Sequence, residues 1–147
     1  MYKHLLVPTD GSELSQVAIE QAVRFASSLG AHVTFYYAQP DFPMPIYGEG
    51  ALIDPTTPES FAQAAEAEAK EILARATAIA EQAGVAADTD TSVSEAPYEG
   101  IVAAAEKHAC DLIFMASHGR KGFVGLLLGS EAKKVLTHSK VPILIHR

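Results

Sequence analysis

The residues best suited to chemistry stand close together near the end of the chain. Gly119, Gly122, Gly125 and Gly129, the last followed by Ser130, lie between an apolar run and a helical pattern. Glycine lets a backbone approach a ligand closely and adopt positive φ. A helix starting at Ser130 would present unpaired N–H groups and a partial positive charge, both suited to phosphate. Arg120, Lys121, Lys133 and Lys134 add a local excess of cations that favours an anion. Neither G-x-x-x-x-G-K-[ST] nor G-x-G-x-x-G occurs, so the P-loop and the dinucleotide fingerprint are both absent. On residue types alone the run is either a phosphate site or a strand-to-helix loop that needs flexible residues.

A second candidate is the segment Pro8 to Ser12. Asp10 there is either a turn and helix-capping aspartate or a ligand contact. No Ser-His-Asp set, P-loop lysine or paired catalytic carboxylates can be assigned, so no catalytic residue is named and any turnover would rest on positioning and Mg²⁺. His118 borders the glycine run as a phosphate contact or an exposed loop residue. His4, His32, His108, His138 and His146 are scattered without metal-ligand spacing and read as structural. Cys110 has no second cysteine to pair with, which fits a reducing compartment.

The elements that must position these residues follow from periodicity. Residues 4–8 form a short apolar run ended by Pro8, and a helix is expected from Leu14 through Ala18, Ala22, Phe25 and Leu29, stopped by Gly30. Residues 31–38 are dense in β-branched and aromatic types and predict a second strand. Residues 39–57 hold Pro40, Pro43, Pro45 and Pro55 with Gly48 and Gly50, and read as a long loop, either a variable excursion or a flap over a ligand. Thr57 and Pro58 open a long helix whose apolar face is Phe61, Ala65, Ala69, Ile72, Ala76, Ile79 and Ala83, closed by Gly84. Residues 88–93 suggest an edge strand. Pro97 opens a third helix with Ile101, Ala105 and His108 inward, and Asp111 to Ser117 is an apolar run of the type buried on both faces. A fourth helix spans about Ser130 to His138, and Val141 to His146 makes the last strand.

This alternation predicts one α/β domain over residues 1–147, with an open, mostly parallel five-stranded sheet and helices on both faces. In such sheets the ligand crevice lies beyond the carboxyl ends of the strands, where the winding reverses. That places Pro8 to Ser12 and Ala116 to Ser130 at the candidate site.

Bulk properties agree with a folded chain: 147 residues, 48% hydrophobic and 20% charged. No apolar run reaches the roughly 18 residues of a membrane span, and no cleavable signal pattern is present, so a cytoplasmic location without a membrane partner is expected. The formal charge of −7 argues against a general nucleic-acid partner. The charge is unevenly spread, because residues 118–147 hold six of the Lys and Arg but only one acid, Glu131.

From Met115 to Pro142 the chain reads Met-Ala-Ser-His-Gly-Arg-Lys-Gly, then Leu-Leu-Leu-Gly-Ser, then His-Ser-Lys-Val-Pro, and near its start Leu-Leu-Val-Pro-Thr-Asp-Gly-Ser. Both segments closely resemble the signatures of the universal stress protein family, and the resemblance spans the whole chain in element order. It implies a Rossmann-like sheet of order 3-2-1-4-5 and an adenine nucleotide as ligand: ATP, AMP or ADP, with or without Mg²⁺. Nucleotide-binding members carry G-x-x-G, nine residues, then G-S or G-T. Gly119 and Gly129-Ser130 match, and Ala116 replaces the first glycine. The added methyl costs little if the position needs only a small residue, and about 1 kcal/mol if it needs positive φ.

By the same resemblance, Asp10 would contact the nucleoside, Pro8, Thr9, Ala38 and Met115 would line the base pocket, and Gly119, Gly129 and Ser130 with the amides of Glu131 and Ala132 would cradle the phosphates. Glu131 reads as a capping acid, with a Mg²⁺ role as the alternative. The family also implies a homodimer through the apolar edge strand 141–146, which otherwise is an aggregation hazard. The expected function is a dimeric stress-response regulator that binds ATP. A dimeric interaction protein without nucleotide and a slow ATP hydrolase are the alternatives.

Overall fold

The computed structural model describes residues 1–43, 57–118 and 128–147. The short apolar runs form the strands at the centre of the sheet. In β1 (His4–Pro8), Leu5 and Val7 enter one core cluster while Leu6 enters another. β4 (Leu112–Ala116) divides the same way, Leu112 and Phe114 against Ile113 and Met115. Both faces of each strand are therefore covered, which is why neither run alternates with polar residues. Each such large side chain, fully buried, contributes about 1.5–3 kcal/mol of transfer free energy.

β2 (His32–Gln39) and β3 (Ala87–Val93) continue the sheet on one side of β1, and β5 (Ile143–His146) lies beyond β4. The order is β3-β2-β1-β4-β5 and every pairing is parallel, with Leu5 opposite both Val33 and Leu112. The expected order 3-2-1-4-5 is thus the observed one. Chain direction reverses its progress across the sheet between β1 and β4, so their carboxyl ends flank a crevice.

Two helices cover each face. α1 (Glu13–Leu29) and α2 (Pro58–Gln82) pack on Leu5, Val7, Val33, Phe35 and Phe114. α3 (Pro97–Lys107) and α4 (Ser130–His138) pack on Leu6, Tyr36, Ile113 and Met115. The helix ends obey local chemistry. Ser12 caps α1 by accepting the Ser15 N–H, and Gly30 ends it at φ 65°. Thr57 and Ser60 form a reciprocal capping box at α2, with Pro58 in the first turn.

Several boundaries and faces differ from the sequence expectation. The buried stripe of α1 is Ser15, Ala18, Ile19, Ala22, Val23 and Ala26, while Leu14 and Leu29 are 41% and 36% exposed. On α2, Leu73 and Ala80 are buried and Ala83 is exposed. β2 runs one residue further, to Gln39, because the first proline comes only at Pro40. Asp111 precedes β4, and its carboxylate accepts the N–H groups of Lys3 and His4 at 2.9 and 3.0 Å, anchoring the start of β1. His108 ends α3 rather than facing inward; its Nε2–H donates to Asp90 at 2.8 Å, and Ala104 takes the inner position. The last strand begins at Ile143, not Val141, since Pro142 has no N–H to offer a ladder. Residues 44–56, most of the expected long loop, lie outside the described residues.

Candidate functional site

A cavity of about 500 Å³ opens at the carboxyl ends of β1, β2 and β4, within the usual size range of small-molecule sites. The loop after β1 forms its floor. There the Thr9 N–H donates to the carbonyl of Tyr36 at 2.9 Å, prolonging the β1–β2 ladder by one residue. Thr9 Oγ1 then accepts from Ser15 Oγ at 2.8 Å and from the Gly11 N–H at 3.2 Å. Asp10 Oδ1 accepts the Ser12 N–H at 2.9 Å, a side-chain turn that fixes the carboxylate at the entrance to α1.

The wall opposite α1 comes from the ends of β2 and β4 and the start of α3. Ala38, Met115 and Ala116 line it, with Glu95, Pro97 and Ile101 beside them. Tyr36 lies beneath, its hydroxyl bonded to Ser92 Oγ at 2.6 Å. Burial pushes the Tyr36 phenol above its usual pKa, against the Ser92 hydrogen bond, and the nearby Asp90 adds to the rise. Tyr36 is therefore an uncharged surface at neutral pH. Ala116 is the last residue of β4 and is not among the positive-φ residues, so its methyl imposes no backbone strain.

The first turn of α4 closes the remaining side, with Gly129, Ser130, Glu131 and Ala132 on the cavity. The Gly129 N–H donates to the Ser117 carbonyl at 2.7 Å, so the chain leaving β4 is tied to the chain entering α4. A Cβ on Gly129 would come within 2.9 Å of Ser117 O and 3.3 Å of His118 Cα. Gly129 has φ −63°, so close approach rather than left-handed backbone demands the glycine. It also leaves α4 without a side-chain cap. By helix geometry the N–H groups of Ser130, Glu131 and Ala132 have no acceptor within the helix. An N-terminus of this kind suits an anion, with a helix-dipole contribution of roughly 0.3–1 kcal/mol.

Glu131 does not cap its own helix. Its Oε2 accepts the backbone N–H of Tyr98 at 3.0 Å, in the first turn of α3, whose N-cap Ala96 provides no side-chain acceptor. Its Oε1 lies 3.5 Å from Lys134 Nζ. Among the described residues, no group of three or more His, Cys, Asp or Glu could hold a metal ion.

The structure brings eleven of the sequence-named positions, Pro8, Thr9, Asp10, Ala38, Met115, Ala116, His118, Gly129, Ser130, Glu131 and Ala132, around one cavity. Gly119, Arg120 and Lys121 lie outside the described residues. Sequence reasoning missed Ser15, Tyr36, Glu95, Pro97 and Ile101 as lining residues. Ser15 had a local signal, since it follows Ser12 by three residues in a capped helix start; Glu95, two residues before the helix-opening Pro97, had none.

Against known proteins, the model of the universal stress protein family matches residues 1–147. The chain belongs to that family. Universal stress protein MJ0531 of Methanocaldococcus jannaschii is 32% identical over 148 residues, covering 99% of this chain and 82% of the relative. The solved structure of MJ0577, a universal stress protein from the same organism, superposes with a TM-score of 0.81 at 27% identity, covering 99% and 95% of the two chains. A crystal structure of a universal stress protein in complex with cAMP superposes at 0.72 with 26% identity, covering 99% and 97%. These two universal stress proteins thus share the fold of this chain, and one of them is in complex with cAMP. Among the described residues of the chain, no helix is long and apolar enough to cross a membrane.

Proposed function

We propose that this universal stress protein binds an adenine nucleotide in the cavity at the carboxyl edge of its sheet and acts as a dimeric stress-response regulator. The observation that carries the reading is the first turn of α4: three first-turn N–H groups, no side-chain cap, and a cavity that also bears Asp10. The resemblance to a relative in complex with cAMP supports the adenine base. Amides of Ser130, Glu131 and Ala132 would hold phosphate oxygens, Asp10 would accept hydrogen bonds from ribose hydroxyls, and Pro8, Ala38 and Met115 would pack on the base. The nucleotide supplies a charged, removable ligand that links β1, β4 and α4. ATP is the proposed physiological ligand, its phosphate charge reduced by Mg²⁺.

Gentle denaturation followed by mass spectrometry is expected to release ATP, ADP or AMP, and calorimetric titration with ATP and Mg²⁺ to give saturable heat. No released nucleotide and no heat at millimolar ligand would remove this reading and favour an interaction protein of the same fold. Phosphate release above background, lost in Asp10→Ala, would instead favour slow hydrolysis.

The dimer is proposed through β5. It is an outer strand of the sheet and carries Ile143, Leu144 and Ile145, all only partly buried. An apolar edge strand favours pairing with a second copy. Sedimentation giving only monomer at micromolar concentration would count against it.

A further inference from the structure

The turn proposed to hold phosphate also carries a fixed negative charge. Glu131 is the second residue of α4 and lines the cavity. Its carboxylate is held from two sides, by the Tyr98 N–H at 3.0 Å and by Lys134 Nζ at 3.5 Å. The side chains of Lys134 and Glu131 are 50% and 38% exposed, so their ion pair is screened by solvent and offsets only part of the charge. The Tyr98 N–H acts differently. It keeps the carboxylate from swinging into solvent, because α3 has no side-chain cap at Ala96 and would lose its acceptor.

Repulsion between this carboxylate and a bound phosphate grows with the number of phosphate charges and with their proximity. A metal-free triphosphate therefore meets a larger penalty than a monophosphate at the same turn. Mg²⁺ bridging phosphate oxygens removes much of that difference.

We infer that Glu131 sets how much phosphate charge the cavity accepts, ranking adenosine monophosphate above metal-free ATP and making ATP binding depend on Mg²⁺. This rests on the adenine-nucleotide reading above. It deepens that reading by assigning one side chain the discrimination among nucleotides. The comparison between wild type and variant is differential, so charges elsewhere on the cavity cancel.

Glu131→Gln keeps a side-chain oxygen for the Tyr98 N–H and removes the charge, whereas Glu131→Ala removes both. Titration calorimetry of each protein with AMP, with ATP in EDTA and with ATP in Mg²⁺ separates the terms. In Glu131→Gln the affinity for metal-free ATP relative to AMP is expected to rise about tenfold, with a smaller change in the ratio for ATP with Mg²⁺. Its melting temperature stays near that of wild type, while Glu131→Ala melts lower. Lys134→Gln provides a second variant that leaves Glu131 in place; it removes the countercharge and is expected to shift the ratio the opposite way. Nucleotides that still bind with unchanged ratios in both glutamine variants overturn the role of Glu131 and leave the nucleotide reading standing. Failure of every protein to bind any of the three overturns that reading, and the inference with it.

Discussion

The imidazole rings of His4 and His32 are stacked, with centroids 4.1 Å apart and planes 9° from parallel, where β1 and β2 begin. His4 Nε2 is hydrogen-bonded to Thr34 Oγ1 at 2.7 Å, and the His32 Nε2–H donates to Asp88 at 2.9 Å. Burial, then the neighbouring His32 and His108, hold the His4 pKa below its ordinary 6.5, against the opposing pull of Asp111 and Asp88. The unfolded chain therefore takes up this proton before the folded one. The folded state is unpenalised at higher pH, and stability falls as pH drops through the unfolded-state value toward the lower folded one. Melting curves between about pH 7.5 and 5.5 are expected to show a smaller loss for His4→Gln than for wild type. Parallel losses in the two proteins would refute the assignment.

Asp90 and Asp111 act in a lower window. Burial alone would raise both, but Asp90 is held below the usual carboxylate range by hydrogen bonds from His108 and Lys107, and Asp111 by the backbone amides of Lys3 and His4. Their stabilisation is present above the ordinary carboxylate pKa and is lost as pH falls through the depressed folded value. Replacing Asp111 by Asn is expected to reduce the acid-induced loss below about pH 4, as followed by circular dichroism. An unchanged acid transition would show that the anchor at the start of β1 has no charge component.

Gly129 and Ala116 are expected to respond oppositely to a change of size. Gly129→Ala drives a methyl against Ser117 O and His118 Cα, backbone atoms that cannot rotate away, at a cost of about 1–3 kcal/mol. Ala116→Gly, at a strand end without positive φ, is expected to cost about 0.5–1 kcal/mol rather than to stabilise. Urea denaturation of both variants measures this. A stabilised Ala116→Gly would mean that the alanine is strained after all.

Ala109 has φ 52° between α3 and β4, a left-handed conformation that costs a residue with a Cβ. Ala109→Gly removes that strain but adds freedom to the unfolded chain, and a net gain of up to about 1 kcal/mol is expected. A lower denaturation midpoint would sink the assignment of strain.

Tyr36 and Gly100 depend on one another. A Cβ on Gly100 would overlap the Tyr36 hydroxyl and come within 2.9 Å of Cζ. Gly100→Ala is expected to cost about 1–3 kcal/mol. Adding Tyr36→Phe frees part of that space, so the double variant should be more stable than the sum of the single effects. Simple additivity would exclude the steric account.

The order of elements was legible in the sequence because its signals are local. Pro8, Gly30, Pro58, Gly84 and Pro97 punctuate the chain through φ restriction or φ freedom, which needs no partner. The unbroken apolar runs Leu5 to Val7 and Leu112 to Met115 mark strands covered on both faces. Parallel alternation then directs attention to the carboxyl edge, which is why Asp10 and Gly129 could be named together although they are far apart along the chain. The basic residues Arg120 and Lys121 were equally visible in composition, but they lie outside the described residues.

What only the tertiary structure decided are relations between elements that share no local pattern. Glu131 looked like a cap for α4 because an acid in a first turn favours its own helix dipole; packing gave it instead to Tyr98 of α3. Leu14 lies on the apolar spacing of α1 but outside the stripe that meets the sheet, since helical period fixes spacing and not which side the sheet approaches from. His108 pairs with Asp90 across eighteen positions for the same reason. Periodicity and backbone restriction are properties of a segment, whereas a hydrogen-bond partner is chosen by which segments the core holds within 3 Å of one another.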